Sequence, residues 1–206
     1  MELLSDGPRE AEWTVVLAHG AGAPMDSPFM NTVAVCLGER DHRCLRFEFP
    51  YMSARREDGR RRPPNPQACL LEAWREAVAA AAGRASRLII GGKSMGGRMA
   101  SLLADELGVA GLICLGYPFH PAGKPERLRT EHLEALCTPT LIVQGERDPL
   151  GKRAEVEGYA LSSAIRLHWC CDGDHDLKPR KASGTTQQAN LASALDAVEA
   201  FIDQLR

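Results

Sequence analysis

The sequence predicts an α/β fold with a doubly wound, mostly parallel six-stranded sheet flanked by helices, and three observations carry this prediction. Short runs rich in Val, Ile and Leu are continuous rather than alternating, which is typical of strands covered by helices on both faces. Helical patterns fill the intervals, so strand and helix alternate along the chain. The 206 residues, 44% hydrophobic and 25% charged, suffice for one core. We therefore predict a single domain over residues 1–206.

The predicted elements follow one another in chain order. The strands are predicted at 13–19, 42–49, 86–91, 110–116, 139–145 and 164–170. The helices are predicted at 67–82, where Gly83 would end the helix, and at 95–107, 128–136, 151–161 and 187–205, with a weaker pattern near 27–38.

Residues 50–66 interrupt this alternation. The segment contains five arginines and three closely spaced prolines, and it shows no apolar face. It predicts a long, flexible loop. Its basic residues either guide an anionic substrate to a nearby cleft or form a solvated surface, since blocks of like charge are usually solvated.

The overall charge and the cysteines exclude several classes of protein. A formal net charge of -2 gives no long-range attraction for nucleic acid or anionic membranes, so a small-molecule substrate is expected. The first residues lack a signal-peptide pattern, and no window approaches the roughly 18 apolar residues of a membrane span; a cytoplasmic protein is predicted. Seven cysteines show no Cys-x-x-Cys pair and no metal-ligand spacing to histidine. Most are therefore expected to be reduced core residues, and neither a metal nor a cofactor is predicted.

A Gly-x-Ser-x-Gly pattern at Gly92, Ser94 and Gly96 follows the third predicted strand and precedes a helix. A sharp strand-to-helix turn needs small residues on both sides of the serine, because neighbouring backbone approaches closely there. Such a turn holds the serine hydroxyl out above the sheet. Ser94 is thus the candidate nucleophile, and the helix that follows it favours a developing anion.

A serine nucleophile needs a base and an orienting acid, which on this fold follow it in the order acid, then histidine. Asp148 follows the fifth predicted strand, and His175 follows the sixth. Taken singly, Asp148 before a proline could be a turn residue or helix cap, and His175 could be a loop histidine in a polar cluster. Together they fill both positions in the required order. Glu146 is a second, weaker candidate for the acid.

Two further sets of residues are predicted around the serine. The oxyanion hole is expected from the backbone N–H of Met95 and from the loop after the first strand, with Ala21 first and Gly22 possible; His19 is expected to shape this loop rather than act as a second base. The segment after the fourth strand could contribute substrate contacts. There Phe119 could pack on an acyl group and Lys124 or His120 could bind a carboxylate, or the segment could be a plain solvated loop.

Five segments carry a resemblance to a known family: HGAGAPMDSPFM, GGKSMGGRMAS, GYPFHPAGKPE, VQGERDP and DGDHDLKP. Together they resemble the α/β-hydrolase superfamily, its dienelactone-hydrolase-like serine hydrolases, and most closely the branch of testis-expressed protein 30 and NSL-complex subunit 3. The resemblance covers nearly the whole chain. It implies Ser94, Asp148 and His175 as the triad, and the 19–23 loop with Met95 as the oxyanion hole. True dienelactone hydrolases have cysteine at the nucleophile position, so Ser94 argues against that lactone specificity.

The function predicted is therefore that of a cytoplasmic serine hydrolase that cleaves a carboxylic ester or thioester through an acyl-enzyme on Ser94. The short insertion after the fourth strand leaves no room for a cap domain, so an open site and a small to medium acyl group are expected. Two alternatives remain: a non-catalytic binding or scaffold protein on the same fold, and a cofactor-free lyase or perhydrolase that uses the same residues. The sequence does not predict the oligomeric state.

Overall fold

The computed structural model describes residues 1–82 and 87–205. Its centre is one seven-stranded sheet in the order β1-β3-β2-β4-β5-β6-β7, parallel throughout except for the antiparallel pair of β1 and β3. This confirms the predicted fold class. The strands are β1 (Leu4–Asp6), β2 (Trp13–Ala18), β3 (Arg43–Phe47), β4 (Arg87–Lys93), β5 (Gly111–Leu115), β6 (Thr140–Gly145) and β7 (Ile165–Cys170).

The number of strands is one more than the six predicted. The additional strand, β1, covers only Leu4–Asp6 and pairs antiparallel with β3 at the edge of the sheet. Three residues are too few to show a period in the sequence, and the strand exists because β3 offers it hydrogen-bonding partners. The first residue of the predicted strand 86–91, Ser86, and the helix-ending Gly83 lie outside the described residues.

Seven α-helices are found in the described part of the chain. They are α1 (Pro28–Glu39), α2 (Pro50–Asp58), α3 (Gln67–Ala82), α4 (Met95–Ser101), α5 (Ala104–Leu107), α6 (Arg153–Val156) and α7 (Gln187–Gln204). Three predicted helices are shorter or interrupted: 95–107 is divided into α4 and α5, 151–161 is reduced to α6, and 128–136 contains only a 3-10 turn at Glu131–Leu133.

Tertiary hydrogen bonds account for the irregular course that ends the 128–136 segment. The backbone N–H groups of Cys137 and Thr138 donate to the Asp105 carboxylate at 3.0 and 2.7 Å. The side chain of Asp105 in α5 thus takes donors that would otherwise extend local structure. Hydrophobic periodicity in the sequence carries no information about such a partner.

Helix α2 corrects the prediction of a loop over 50–66. Pro50 is accommodated in the first turn, and Gly59, at φ 71, ends the helix. The helix does have an apolar face, because Tyr51 and Met52 are buried. The predicted loop is therefore wrong for the nine residues Pro50–Asp58. Residues 59–66 have no regular secondary structure, and their predicted flexibility stays a prediction.

The core consists of two apolar layers on opposite faces of the sheet. One layer joins α2, α3 and α4 to the sheet around Phe47, Trp74 and Met99, and the other joins α1 and α7 to it around Trp13 and Val198. Three of the seven free cysteines are buried, two are partly buried, and Cys137 and Cys171 are exposed. Among the described residues, none of the helices combines the length and apolar character needed to cross a membrane.

Candidate active site

Ser94 occupies the turn between β4 and α4, at the edge of the sheet where the parallel strands end. Its backbone has φ 51 and ψ -114, a conformation that a non-glycine residue adopts only at a cost. The turn is possible because Gly92 and Gly96 have no side chains: a Cβ on either glycine would collide with the carbonyl oxygen of Ala18 at the end of β2. The motif thus presses the turn against β2 and points Ser94 above the sheet.

The structure brings the three predicted residues Ser94, His175 and Asp148 together. The Ser94 Oγ–H donates to His175 Nε2 at 2.9 Å, and the His175 Nδ1–H donates to Asp148 Oδ2 at 2.7 Å. The Asp148 side chain is 0% exposed and that of His175 25% exposed. The histidine therefore reaches solvent and the serine, while the carboxylate behind it is sealed from water.

Gln144 holds the buried Asp148 carboxylate in place. Its Nε2 donates to Asp148 Oδ2 at 3.0 Å, and the backbone N–H of Leu150 donates to Oδ1 at 2.8 Å. Gln144 is itself fixed by Tyr117, whose backbone N–H donates to Oε1 at 2.7 Å. A buried carboxylate is stable only when its oxygens are satisfied. The sequence reasoning missed Gln144, although a polar residue in the apolar run of β6 was a usable signal.

The loop that carries His175 is fixed by Lys93 and Asn190. Lys93 Nζ donates to the backbone oxygen of His175 at 2.6 Å and lies 3.2 Å from Asp176 Oδ1. Asn190 Nδ2 donates to the carbonyl oxygens of Cys171 and Leu177, both at 2.9 Å. Burial lowers the pKa of Lys93, opposed by the nearby carboxylates. The role of Lys93 was also missed, because the position of a lysine next to Ser94 in the sequence does not indicate which group its amine contacts.

The other carboxylates near the predicted site face elsewhere. Glu146 accepts from the backbone N–H of Asp172 at 2.9 Å and pairs with Arg153 at 3.0 Å. Asp174 accepts from the backbone N–H groups of Asp176 and Lys178 in a turn. Asp148 is therefore the carboxylate that contacts the histidine.

His19 and Tyr51 shape the loop after β2. The His19 Nδ1–H donates to Gly20 O at 2.6 Å, and its Nε2 accepts from the backbone N–H of Phe49 at 3.1 Å. Burial lowers the pKa of His19, consistent with a neutral ring. The Tyr51 hydroxyl donates to Ala21 O at 3.0 Å. His19 thus shapes the loop as expected, whereas Tyr51 was hidden in the segment predicted to be a loop.

The two predicted oxyanion donors, Ala21 and Met95, flank Ser94. Ala21 lines the same cavity as Ser94, and Met95 is the first residue of α4, where a backbone N–H has no partner within the helix. Neither of these two N–H groups donates a hydrogen bond within residues 1–82 and 87–205.

A cavity of about 370 Å³ opens beside Ser94. Its walls are the loop 20–23, which includes the predicted Gly22, together with Phe29 and Met30 of α1. Ser27, Lys93, His175 and Asp176 complete the lining. The volume suits a small or medium organic group. A larger cavity of about 610 Å³ lies beside β1 and β3 and carries none of the predicted site residues.

The three substrate contacts predicted after β5 do not line this cavity. Phe119 is fully buried against Tyr117 and Tyr159, with ring centroids 4.8 and 5.7 Å apart. His120 is buried, and its Nδ1 contacts Pro121 O at 2.9 Å, while Lys124 is exposed. The rings of Phe119 and His120 complete local packing, and Lys124 lies on the surface. The prediction that these three residues contact the substrate in the cavity beside Ser94 is therefore corrected.

The architecture and the site together are those of an α/β hydrolase. A family model described as an alpha/beta hydrolase domain matches residues 11–203, and the chain belongs to this family.

Solved structures with the same fold cover nearly the whole chain. One is a dienelactone hydrolase from Anabaena variabilis, with 23% identity, a TM-score of 0.72, and coverage of 98% of this chain and 90% of that chain. Another is an α/β serine hydrolase homologue from Coxiella burnetii, with 19% identity, a TM-score of 0.69, and coverage of 99% and 91%. A third, from Xanthomonas campestris, is described as an α/β serine hydrolase without a lid, with 18% identity, a TM-score of 0.64, and coverage of 98% and 88%. Identities this low concern the fold alone.

Proposed function

We propose that the protein is a serine hydrolase that cleaves a small to medium carboxylic ester or thioester through an acyl-enzyme on Ser94. One observation carries the proposal: Ser94, His175 and Asp148 form an uninterrupted hydrogen-bonded series, with distances of 2.9 and 2.7 Å. A serine in the strained turn of an α/β hydrolase, with its hydroxyl bonded to such a histidine, is activated as a nucleophile.

Acylation begins with Ser94 Oγ attacking the carbonyl carbon of the ester while His175 Nε2 takes the hydroxyl proton. The buried Asp148 carboxylate stabilises the imidazolium that forms and keeps the ring oriented. The negative charge on the carbonyl oxygen is stabilised by the backbone N–H groups of Ala21 and Met95. The tetrahedral intermediate then expels the alcohol or thiol, which receives the proton from His175, and the acyl group remains on Ser94.

Deacylation reverses these roles with water. His175 takes a proton from a water molecule, the resulting nucleophile attacks the acyl carbon, and Ser94 leaves with the proton returned by His175. No step needs a metal or a cofactor. The free acid is released and the serine is restored.

The cavity and its surroundings support a substrate of limited size. A volume of about 370 Å³, with Phe29 and Met30 in its wall, can hold a short or medium apolar group. We further propose that this substrate is a small molecule met in the cytoplasm, without a nucleic-acid or membrane partner. Membership of the branch of testis-expressed protein 30 and NSL-complex subunit 3 likewise stays a proposal, which rests on the five segments that resemble it.

The proposal is tested by labelling the folded protein with a fluorescent alkyl fluorophosphonate, which reacts with activated serines. Labelling is expected for the wild type and is expected to be lost in Ser94→Ala and His175→Ala. Ser101→Ala is the matched control, because Ser101 also contacts a histidine, His132, at 2.8 Å, and this variant should label as the wild type does. A folded wild type that does not label would reject the proposal and favour a non-catalytic binding protein.

A further inference from the structure

The larger cavity, of about 610 Å³, lies at the end of the sheet opposite to Ser94. Arg43, the first residue of β3, is in its wall. Thr14 of β2 pairs with Arg43 on one side and with Leu88 of β4 on the other. Ser94 comes six residues after Leu88, which is about 20 Å along a strand at roughly 3.3 Å per residue. A small molecule in this cavity is therefore distinct from an ester at Ser94.

The Arg43 guanidinium is enclosed without a partner. The residue is 6% exposed, and within residues 1–82 and 87–205 its side chain forms neither a hydrogen bond nor an ion pair; its Nε is among the buried polar atoms without a partner. Thr14, beside it on the same face of the sheet, does not act as its acceptor, because the Thr14 Oγ1 is also unpartnered. A charge removed from water is costly unless it is paired. Arg43 therefore points to an anion that the chain itself does not supply.

Arg46, three residues further along β3, shows how the fold satisfies a buried guanidinium that it uses itself. Arg46 is 4% exposed and faces the other side of the sheet, because side chains alternate along a strand. Its Nη2 donates to Asp6 Oδ2 and its Nη1 to Met25 O, both at 2.8 Å. The two arginines are thus equally buried in one strand, and the difference between them is the carboxylate.

The rest of the cavity wall suits an anion that enters from solvent. Ser5 of β1 pairs with Leu45 of β3 and lies on the same face as Arg43, so its hydroxyl can donate to the same group. Arg9 and Glu10 are exposed residues of the lining, and Glu10 forms no ion pair with Arg43 within the part of the chain that the structure describes. Two arginines against one glutamate leave positive charge in excess. The remaining lining residues are apolar: Leu3, Leu45 and Ala80.

We propose that this cavity binds a small molecule through an oxyanion, a carboxylate or a phosphate, that accepts hydrogen bonds from the Arg43 guanidinium and the Ser5 hydroxyl. The planar guanidinium matches two oxygens of either group, and the volume is that of a small-molecule site. This binding site is additional to the proposed hydrolase site and does not depend on it.

Binding of the anion is tested with inorganic phosphate and with succinate, in sodium chloride buffer of constant ionic strength. The broadening of the ³¹P resonance of phosphate and of the ¹H resonance of succinate reports binding. Wild type is expected to bind at least one of them, and Arg43→Met to weaken that binding by about tenfold or more, the usual size of a charged hydrogen bond. Arg61→Met is the matched control, because it removes the same charge from an exposed position and should bind as the wild type does.

The anion that binds identifies the source of the negative charge as a phosphate or a carboxylate. The proposal is overturned if the wild type binds neither anion, or if Arg43→Met binds them as well as the wild type. Neither assay needs ester cleavage. A wild type that does not label with fluorophosphonate but binds an anion through Arg43 would reject only the proposed hydrolase.

Urea unfolding without either anion separates a ligand-binding arginine from a structural one. Arg43→Met should unfold at the wild-type midpoint or above it, because an apolar side chain replaces an unpaired buried charge. Arg46→Met should unfold at a lower midpoint, because it leaves the Asp6 carboxylate without its partner. An equal decrease in both variants would show that the fold itself requires Arg43, and would overturn the proposal.

Discussion

Helix α4 has a serine hydrogen-bonded to a histidine at each of its ends. At the first end the Ser94 Oγ lies 2.9 Å from His175 Nε2, and at the last the Ser101 Oγ lies 2.8 Å from His132 Nε2. Distance alone does not distinguish the two pairs. Their surroundings do, because the groups behind each histidine have opposite charge.

His175 contacts the buried carboxylate of Asp148, whereas the charge that acts on His132 is the positive charge of Arg98. Burial, and after it the positive charge of Arg98, lowers the pKa of His132 to about 4. A histidine in such a place does not accept a proton at neutral pH. In addition, the Ser101 Oγ–H already donates to the carbonyl oxygen of Arg98 at 2.8 Å. The second pair is thus a neutral structural contact.

The backbone adds a second difference. Ser94 stands in a strained turn at φ 51 before the helix begins, whereas Ser101 is a regular helical residue that is buried. A serine–histidine contact becomes reactive only with a carboxylate behind the histidine and with donors beside the serine, which is the reason that the proposed function uses Ser94 and not Ser101.

Of the three changes considered, removal of the Asp148 carboxylate should lower kcat the most. Asp148→Asn keeps the shape of the side chain but removes the charge and favours the wrong histidine tautomer, so kcat for a neutral ester should fall by about 10³-fold to 10⁴-fold. The measurement is kcat for 4-nitrophenyl acetate at neutral pH. Ser101→Ala, in which only the structural pair is removed, should keep kcat within about twofold. Similar losses in the two variants would show that the two pairs do not differ in the proposed way.

A smaller effect is expected when the support of the His175 loop is removed. Lys93→Met retains most of the side-chain volume but loses the 2.6 Å hydrogen bond to His175 O, so the imidazole is held less firmly. We expect kcat for a neutral ester to fall about tenfold with little change in KM, because one charged hydrogen bond is lost. Lys93→Arg, which can still donate to the carbonyl oxygen, should recover part of kcat. If Lys93→Arg were as poor as Lys93→Met while both unfolded at the urea midpoint of the wild type, the positioning role would be refuted.

The smallest expected effect is on the pH dependence of the free energy of unfolding, and it comes from His132 in the Ser101–His132 pair. The pKa of His132 is about 4 in the folded protein, below its ordinary value of 6.5. Between these values the unfolded chain binds a proton that the folded protein does not, so the free energy of unfolding decreases as the pH falls from about 6.5 to 4. His132→Gln removes this titration and should make the decrease less steep, by at most about 1.4 kcal/mol per pH unit.

Urea unfolding at several pH values between 7 and 4 measures this slope. The wild-type slope does not come from His132 alone, because burial also lowers the pKa of His19, so the comparison is between variant and wild type. Parallel curves for the two proteins would contradict the prediction.

Most of the sheet and the three residues at Ser94 could be predicted from the sequence because each depends on local patterns. Continuous apolar runs indicate buried strands. The order of motifs after successive strands places Ser94, Asp148 and His175 together at the carboxyl ends of the parallel strands. The strand Leu4–Asp6 was missed because it is too short to have a period. Helix α2 was missed because Pro50 and the charged residues 55–58 outweigh the two apolar residues, Tyr51 and Met52, that anchor it.

The order of the elements and the chemical types at their ends follow from the sequence alone: a serine between glycines, then a carboxylate, then a histidine. The long side chains that support them are known only from the packing of the folded chain. Gln144 reaches Asp148, Lys93 reaches the His175 loop, and Tyr51 reaches the loop of Ala21 through contacts between residues 4 to 82 positions apart in the chain. The physical reason is that a flexible polar side chain takes its partner from whatever the packed backbone brings within about 3 Å, and periodicity and spacing do not record that choice.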